Sequence, residues 1–241
     1  GAISRLDIAG REGWHRGGHG GNLRAAVFGM NDGLISNLSL VLGVAAAGTG
    51  HDTVLLTGAA GLLAGAFSMA VGEYVSVSTQ RDVLLRQVAL ERREVEEAPE
   101  EEAQELARLL EQKGVPRAEA ETASLAIMKN PEAALDTLVR EELGLDPEDL
   151  GSPVGAAASS FATFASGAFL PLLPFLFGPS ANAAYVSGGL GVGVLGAVGA
   201  LLGFLAGASP LRTGARMLGL GVLAAGATIL LGRVIGATLA P

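Results

Sequence analysis

Asp32 and Glu73 each sit inside a long Ala/Gly/Leu/Val run, and an ionisable side chain at membrane depth costs several kcal/mol, so it is functional by default. Asp32 follows Arg24 by eight residues and Glu73 precedes Arg81 by eight. At about 1.5 Å per helical residue, both carboxylates then lie ~12 Å inside one boundary, on antiparallel neighbours. Asp32, Ser36, Ser39 and Gly43 recur at helical spacing in the first run, and Met69, Glu73, Ser76 and Gln80 do so in the second. Each helix therefore carries one polar stripe. Such carboxyls can be tied up in helix–helix hydrogen bonds or can line a cation or proton pathway, and their cost favours the pathway. Asp32, Glu73, Ser36 and Ser76 are its candidates. Met69 lies nearer the midplane and offers a thioether, although a lone membrane Met is ordinarily packing material.

A second group of acids lies between residues 80 and 150. This stretch holds 19 of the chain's 24 Asp+Glu, all but Asp7, Glu12, Asp32, Asp52 and Glu73, together with 9 of its 16 Lys+Arg. A merely solvated acidic helix keeps its glutamates away from its apolar stripe. Here Glu91 shares a stripe with Leu84, Val88 and Val95, with Glu94 three residues on; Glu102 and Glu105 share one with Leu106 and Leu109; and Glu142 shares one with Leu135 and Leu138. Carboxylates aimed inward on three helices repel one another unless cations neutralise them. Glu96, Glu97, Glu100 and Glu101 read as a solvated run at a helix junction, and Glu119, Glu121 and Glu132 as first-turn acids. The three histidines, His15, His19 and His51, lie outside the stretch and there is no cysteine. Carboxylate-only ligation favours hard to borderline cations such as Fe²⁺, Mn²⁺ or Mg²⁺ over Cu⁺ or Zn²⁺. A ferritin-like di-iron oxidase would need Glu-x-x-His pairs, and the chain has none.

The elements that position these residues follow from composition. With 49% hydrophobic and 17% charged residues and a mean hydropathy of +0.44, the chain is too apolar for an ordinary globular domain of its length. Five stretches, roughly 24–48, 53–79, 154–177, 183–208 and 214–237, reach the ~20 residues that a bilayer crossing needs. Basic residues cluster on one side of them: Arg5 to Arg24, the nine of the insert, and Arg212 with Arg216, against Arg233 alone near the other. The positive-inside rule then makes the N-terminus, residues 80–150 and the loop near 210 cytoplasmic. The expected organisation is an N-terminal cytoplasmic segment 1–22, two spans within 23–79, a cytoplasmic acidic helical domain 80–150 and three spans within 151–241. The segment before Asn22 lacks the apolar core of a signal peptide. A net charge of −8 argues against nucleic acid and suits a domain that handles cations.

Within the insert the second span runs on as helix to about Glu97, followed by helices Pro99–Lys113, Pro116–Lys129 and Pro131–Leu143, with Gly114, Asn130 and Gly144 as stops. Pro171 and Pro174 predict a kink or helix end in the third span. Gly188, Gly189, Gly191, Gly193, Gly196, Gly199, Gly203 and Gly207 give small-xxx-small spacings suited to close helix packing.

From about His15 to the C-terminus the chain resembles the vacuolar iron transporters, proton-coupled Fe²⁺/Mn²⁺ exporters of cytoplasm, in a prokaryotic-type form. The resemblance rests on Asn31-Asp32-Gly33-Leu34 with Ser36 and Ser39-Leu40, on Met69-Ala70-Val71-Gly72-Glu73-Tyr74-Val75-Ser76-Val77, and on Arg140-Glu141-Glu142-Leu143-Gly144. It implies a homodimer of five-helix protomers in a lipid bilayer, with a pathway at the dimer interface lined by Asp32 and Met69. It further implies a cytoplasmic three-helix metal-binding domain with ligands Glu91, Glu94, Glu102, Glu105 and Glu142. Where plant members place a methionine ligand four residues before the last glutamate, this chain has Leu138, and Met128 is a poorly placed substitute. The implied activity is antiport of Fe²⁺ or Mn²⁺ against protons, with no prosthetic group and no enzymatic reaction. The implied site is the cell inner membrane in a prokaryote or a vacuolar-type membrane in a eukaryote. Two other classes compete: a membrane-anchored metal-storage or metal-sensing protein, which has no need of Asp32 and Glu73, and a membrane ferroxidase, which the missing Glu-x-x-His pairs disfavour.

Overall fold

Five helices are long and apolar enough to cross a membrane. The structure, a computed structural model, describes residues 18–144, 151–205 and 207–239. The N-terminal residues Arg5, Arg11, His15 and Arg16 and the acids Asp146, Glu148 and Asp149 lie outside the described residues, as do the side chains of His19 and Arg24. The helices are α1 (Gly18–Ala46), α2 (His51–Glu97), α3 (Pro99–Gln112), α4 (Arg117–Ile127), α5 (Pro131–Glu141), α6 (Pro153–Phe169), α7 (Leu173–Leu176), α8 (Ala183–Leu205) and α9 (Pro210–Leu239). They form two compact units, Gly1–Tyr74 with Val154–Pro241, and Val75–Pro153. The 47 residues of α2 pass through both. At ~1.5 Å per residue that length exceeds what a hydrocarbon core requires.

In the first unit α1 is packed on several sides, and Leu34, Leu38 and Val41 are at most 1% exposed. Small residues let its neighbours come close, the expected device where lipid removes the hydrophobic driving force between helices. Gly58, Gly61 and Gly65 of α2 lie against Leu172 with Val41, Leu40 with Asn37, and Phe164 respectively. Gly232 and Gly236 of α9 pack on the backbone of Gly43 and Ala47. Of the α8 glycines, Gly191 meets Leu38 of α1, while Gly196, Gly199 and Gly203 meet Leu218, Met217 with Gly214, and Pro210 with Thr213 of α9. Gly189 and Gly193 meet nothing within 4 Å, so only part of that run serves packing. The outward faces carry Phe28, Leu56, Phe67, Leu201, Leu223 and Leu230, apolar surface of the kind lipid covers.

The third span breaks at its prolines. Helix α6 stops at Phe169, a 3₁₀ turn covers Leu170–Leu172, and α7 follows, because Pro171 and Pro174 supply no amide hydrogen to the helical ladder. Carbonyls at the break are satisfied from other helices. Asn37 Nδ2 donates to the Ala168 carbonyl at 2.6 Å and Ser187 Oγ to that of Pro171 at 2.8 Å, both buried.

The second unit is built from the end of α2 with α3, α4 and α5. Pro99 and Pro131 open their helices, and Pro116 caps α4, where a missing N–H costs nothing. Gly114 and Gly144 adopt the left-handed conformation, φ +95° and +63°, as helix stops demand. Asn130 serves two helices: its extended backbone ends the turn after α4, with its amide donating to the Ile127 carbonyl at 3.0 Å, and it N-caps α5, its side chain accepting from the Ala133 amide at 3.4 Å. Asn serves helix starts as readily as ends.

Candidate metal centre

The core of the second unit is a small apolar cluster of Val95, Leu106, Ala134 and Leu138, flanked by Leu110, Ile127 and Met128. One helical turn from three of these residues stand three glutamates: Glu91 precedes Val95, Glu102 precedes Leu106, and Glu142 follows Leu138. Residues four apart share a helix face, so the packing that gathers the aliphatic side chains also gathers the acids. Glu91, Glu102 and Glu142 each offer a carboxylate oxygen within 4.8 Å of the other two. At metal–oxygen distances of ~2.0–2.6 Å, oxygens on opposite sides of a cation stand about 4–5 Å apart, so the spacing fits a single ion. Glu91 and Glu102 are 3% and 7% exposed, whereas Glu142, at the C-cap of α5, is open to solvent.

The electrostatics of the cluster are repulsive. Burial first, then the charges of Glu142, Glu102, Glu94 and Glu105, push the Glu91 carboxyl up to about 7. Glu102 is raised by burial and by Glu105, Glu94, Glu142 and Glu101, and Glu142 by burial, Glu105 and Glu94. Glu91 Oε1 is buried without a hydrogen-bond partner. None of the five ion pairs recorded among the described residues involves these three acids. A divalent cation would supply the missing neutralisation, and its binding would displace any proton held there.

Of the five candidate ligands, the structure brings three together. Glu94 and Glu105 are exposed and stand outside the three-residue group, yet both raise Glu91 and Glu142, so they form a surrounding acidic field. Glu96, Glu97, Glu100, Glu101, Glu119 and Glu121 are exposed, as their helix positions suggested. Glu132 does more than face a helix N-terminus: Arg92 grips it with two nitrogens at 2.7 and 3.3 Å, which holds its carboxyl below the usual range. Leu138 is fully buried in the apolar cluster and Met128 packs against the same cluster, so both act as core.

In the apolar unit Asp32 is half-buried and accepts a hydrogen bond from Ser36 Oγ at 3.1 Å. Met69 is partly buried against Ala66, Phe164 and Ala168. Glu73 is half-buried, and Ser76 is exposed with its Oγ accepting from Gln80 Nε2 at 3.5 Å. The stripe on α1 is not uniform. Ser39 is 8% exposed and Gly43 backs onto the Thr228 carbonyl, so the upper half is packed and the Asp32–Ser36 end carries the accessible polar atoms. Sequence reasoning did not anticipate Asn37, Ser187, or the ion pairs Arg92–Glu132 and Lys113–Glu141. The one available signal was Asn37 itself, an amide in an apolar run.

These features define an all-helical integral membrane protein with five apolar spans and a helical unit carrying a carboxylate cluster. The profile of the VIT family matches residues 23–233, and the chain belongs to that family. It is 32% identical to vacuolar iron transporter 1 of Arabidopsis thaliana over 88% of this chain and 86% of the relative. It is 38% identical to a vacuolar iron transporter of Acanthamoeba castellanii over 65% and 56% of the two chains. With vacuolar iron transporter homolog 5 of Oryza sativa it shares 53% identity over a shorter stretch, 34% of this chain and 36% of the other.

Proposed function

We propose that this protein is a divalent-metal/proton antiporter that moves Fe²⁺ or Mn²⁺ out of the cytoplasm. The observation that carries the reading is the convergence of Glu91, Glu102 and Glu142, mutually repelling and in none of the ion pairs among the described residues, in a chain with five apolar spans. Support comes from relatives named for iron transport. Residues 80–150 would face the cytoplasm and collect the ion, with Glu94 and Glu105 raising its local concentration. Asp32, with Ser36 orienting its carboxylate, and Met69 would take the ion in the membrane. Glu73 or Asp32 would exchange it for a proton, and Ser76 would continue the polar stripe toward the insert.

The assembly we infer is a homodimer. Ala60, Ala64, Ser68 and Gly72 form an exposed small-residue stripe at four-residue spacing on α2, and nothing within 4 Å of Gly72 would meet a side chain there. Such stripes let helices of two copies pack closely, which would place the pathway at the junction. The reading is tested by metal flux into proteoliposomes loaded with a pH dye: Fe²⁺ entry with coupled internal alkalinisation is expected. Metal binding without flux would instead make the chain a membrane-anchored storage or sensing protein.

A further inference from the structure

Glu142 is the weak point of the carboxylate cluster. It is exposed and lies at the C-cap of α5, where its amide bonds to the Leu138 carbonyl at 2.8 Å and where helices fray. Glu91, by contrast, sits inside α2, and Glu102 is buried in the first turn of α3. Something must hold the last turn of α5 in place if three oxygens are to converge. The neighbouring residue does this: Glu141 pairs with Lys113, the C-cap of α3. Consecutive helical residues point ~100° apart, so the turn reaches two places on one partner helix. Glu142 meets Glu102 in the first turn of α3 and Glu141 meets Lys113 at its far end. At the other end of α5, Arg92 of α2 forks onto Glu132, so the eleven-residue helix is tied at both ends by ion pairs that include no metal ligand.

We propose that Lys113 and Glu141 are positioning residues for metal capture: their ion pair fixes the C-terminal turn of α5 so that Glu142 closes the site begun by Glu91 and Glu102. This rests on the reading of those three acids as the cation site. The claim has a sign that simple electrostatics opposes. Lys113 is a positive charge near an acidic site, so removing it strengthens long-range attraction for a divalent cation, whereas losing a positioning contact weakens capture.

The test is anaerobic calorimetric titration of the full chain in detergent with Fe²⁺. The heat that vanishes in Glu91→Gln/Glu102→Gln reports the insert site. Lys113→Met and Glu141→Gln should each weaken that component by about three- to tenfold, between the small effects of exposed ion pairs and the larger ones of groups bonded directly to ligands. The charge-swapped Lys113→Glu/Glu141→Lys should return to within about twofold of native. Unchanged or tighter binding by Lys113→Met overturns the proposal, as does tighter binding there with weaker binding by Glu141→Gln, the pattern of bulk charge. If Lys113→Met also lowers the metal-free melting temperature, the swap decides: recovered affinity supports positioning and unrecovered affinity refutes it. Native binding by Glu91→Gln/Glu102→Gln would sink the site reading itself, an outcome read from a different protein.

Discussion

Gly33 and Gly167 are set into each other's helices: a side chain on Gly33 would run into the backbone at Phe164 and Ala168, and one on Gly167 into the backbone at Met30 and Leu34. The residue before Gly33 is Asp32, so a close backbone crossing between α1 and α6 lies beside the candidate pathway carboxylate. Adding one methyl at Gly167 forces the helices apart, and overpacking of this kind costs about 1–3 kcal/mol. Gly167→Ala should therefore lower thermal stability in detergent. Gly193→Ala, where nothing stands within 4 Å, should not, since Ala is also the better helix former. Equal stability of the two variants would refute the crossing.

Asp32→Asn keeps the side chain's shape and an acceptor for Ser36 while removing the charge that attracts a cation. Transport should fall about tenfold or more, with folding intact, because the carboxylate is retained at a cost that only function repays. Native-rate Fe²⁺ flux by this variant would remove Asp32 from the pathway.

Single cysteines at Gln112 and Ser180 test the topology, since the first lies at the end of α3 and the second in the connection before α8. From the distribution of Lys and Arg they are expected on opposite faces of the bilayer. Labelling of both by an impermeant thiol reagent from one side would overturn the five-span arrangement.

Much of this architecture was legible because local signals agreed. The run-on of α2 to Glu97 followed from a stretch with neither Gly nor Pro between Glu73 and Ala98, and the insert helices from their prolines. The three converging glutamates were legible because Glu91, Glu102 and Glu142 each sit four residues from a residue of the buried apolar cluster. Glu94 and Glu105 lie three residues beyond Glu91 and Glu102, a net turn of ~60° around the helix, and both are exposed; Leu109, four residues after Glu105, is only partly buried. Asn130 marks the break after α4 as its type suggested, while its N-capping of α5 was missed because one residue type serves both helix ends. The pairs Arg92–Glu132 and Lys113–Glu141 join positions 40 and 28 residues apart, where no local pattern points from one partner to the other.

Ligand and solvated glutamates differ in consequence. Glu102→Gln/Glu105→Gln removes a converging carboxylate and a neighbour that raises its pKa, and should weaken Fe²⁺ binding to the full chain by well over about tenfold. Transport should slow without ceasing, because Asp32 remains. Glu100→Ala/Glu101→Ala removes the same charge from exposed positions and should shift affinity only slightly through screened attraction. Equal losses in the two double variants would mean that the insert attracts metal by charge alone.

The elevated Glu91 gives the last prediction a direction. Its carboxyl titrates near 7 in the fold against 4.5 ordinarily, so between those values the native state holds a proton that the unfolded chain has lost. The contribution of Glu91 to the stability of the metal-free insert is therefore largest below the ordinary carboxyl range and is lost as pH rises through about 7. Metal binding runs the other way, since the ion must displace the same proton. Fe²⁺ affinity should climb as pH is raised from about 6 to about 7.5, by up to roughly tenfold per unit while Glu91 remains protonated, and then level off. In Glu91→Gln the affinity should be low and its pH dependence much reduced, and the metal-free protein should lose the native chain's destabilisation above neutral pH. Titrations across this range in both proteins, with thermal melts of the metal-free forms, decide the matter: a native affinity flat from pH 6 to pH 8 would show that Glu91 carries no proton for the metal to displace.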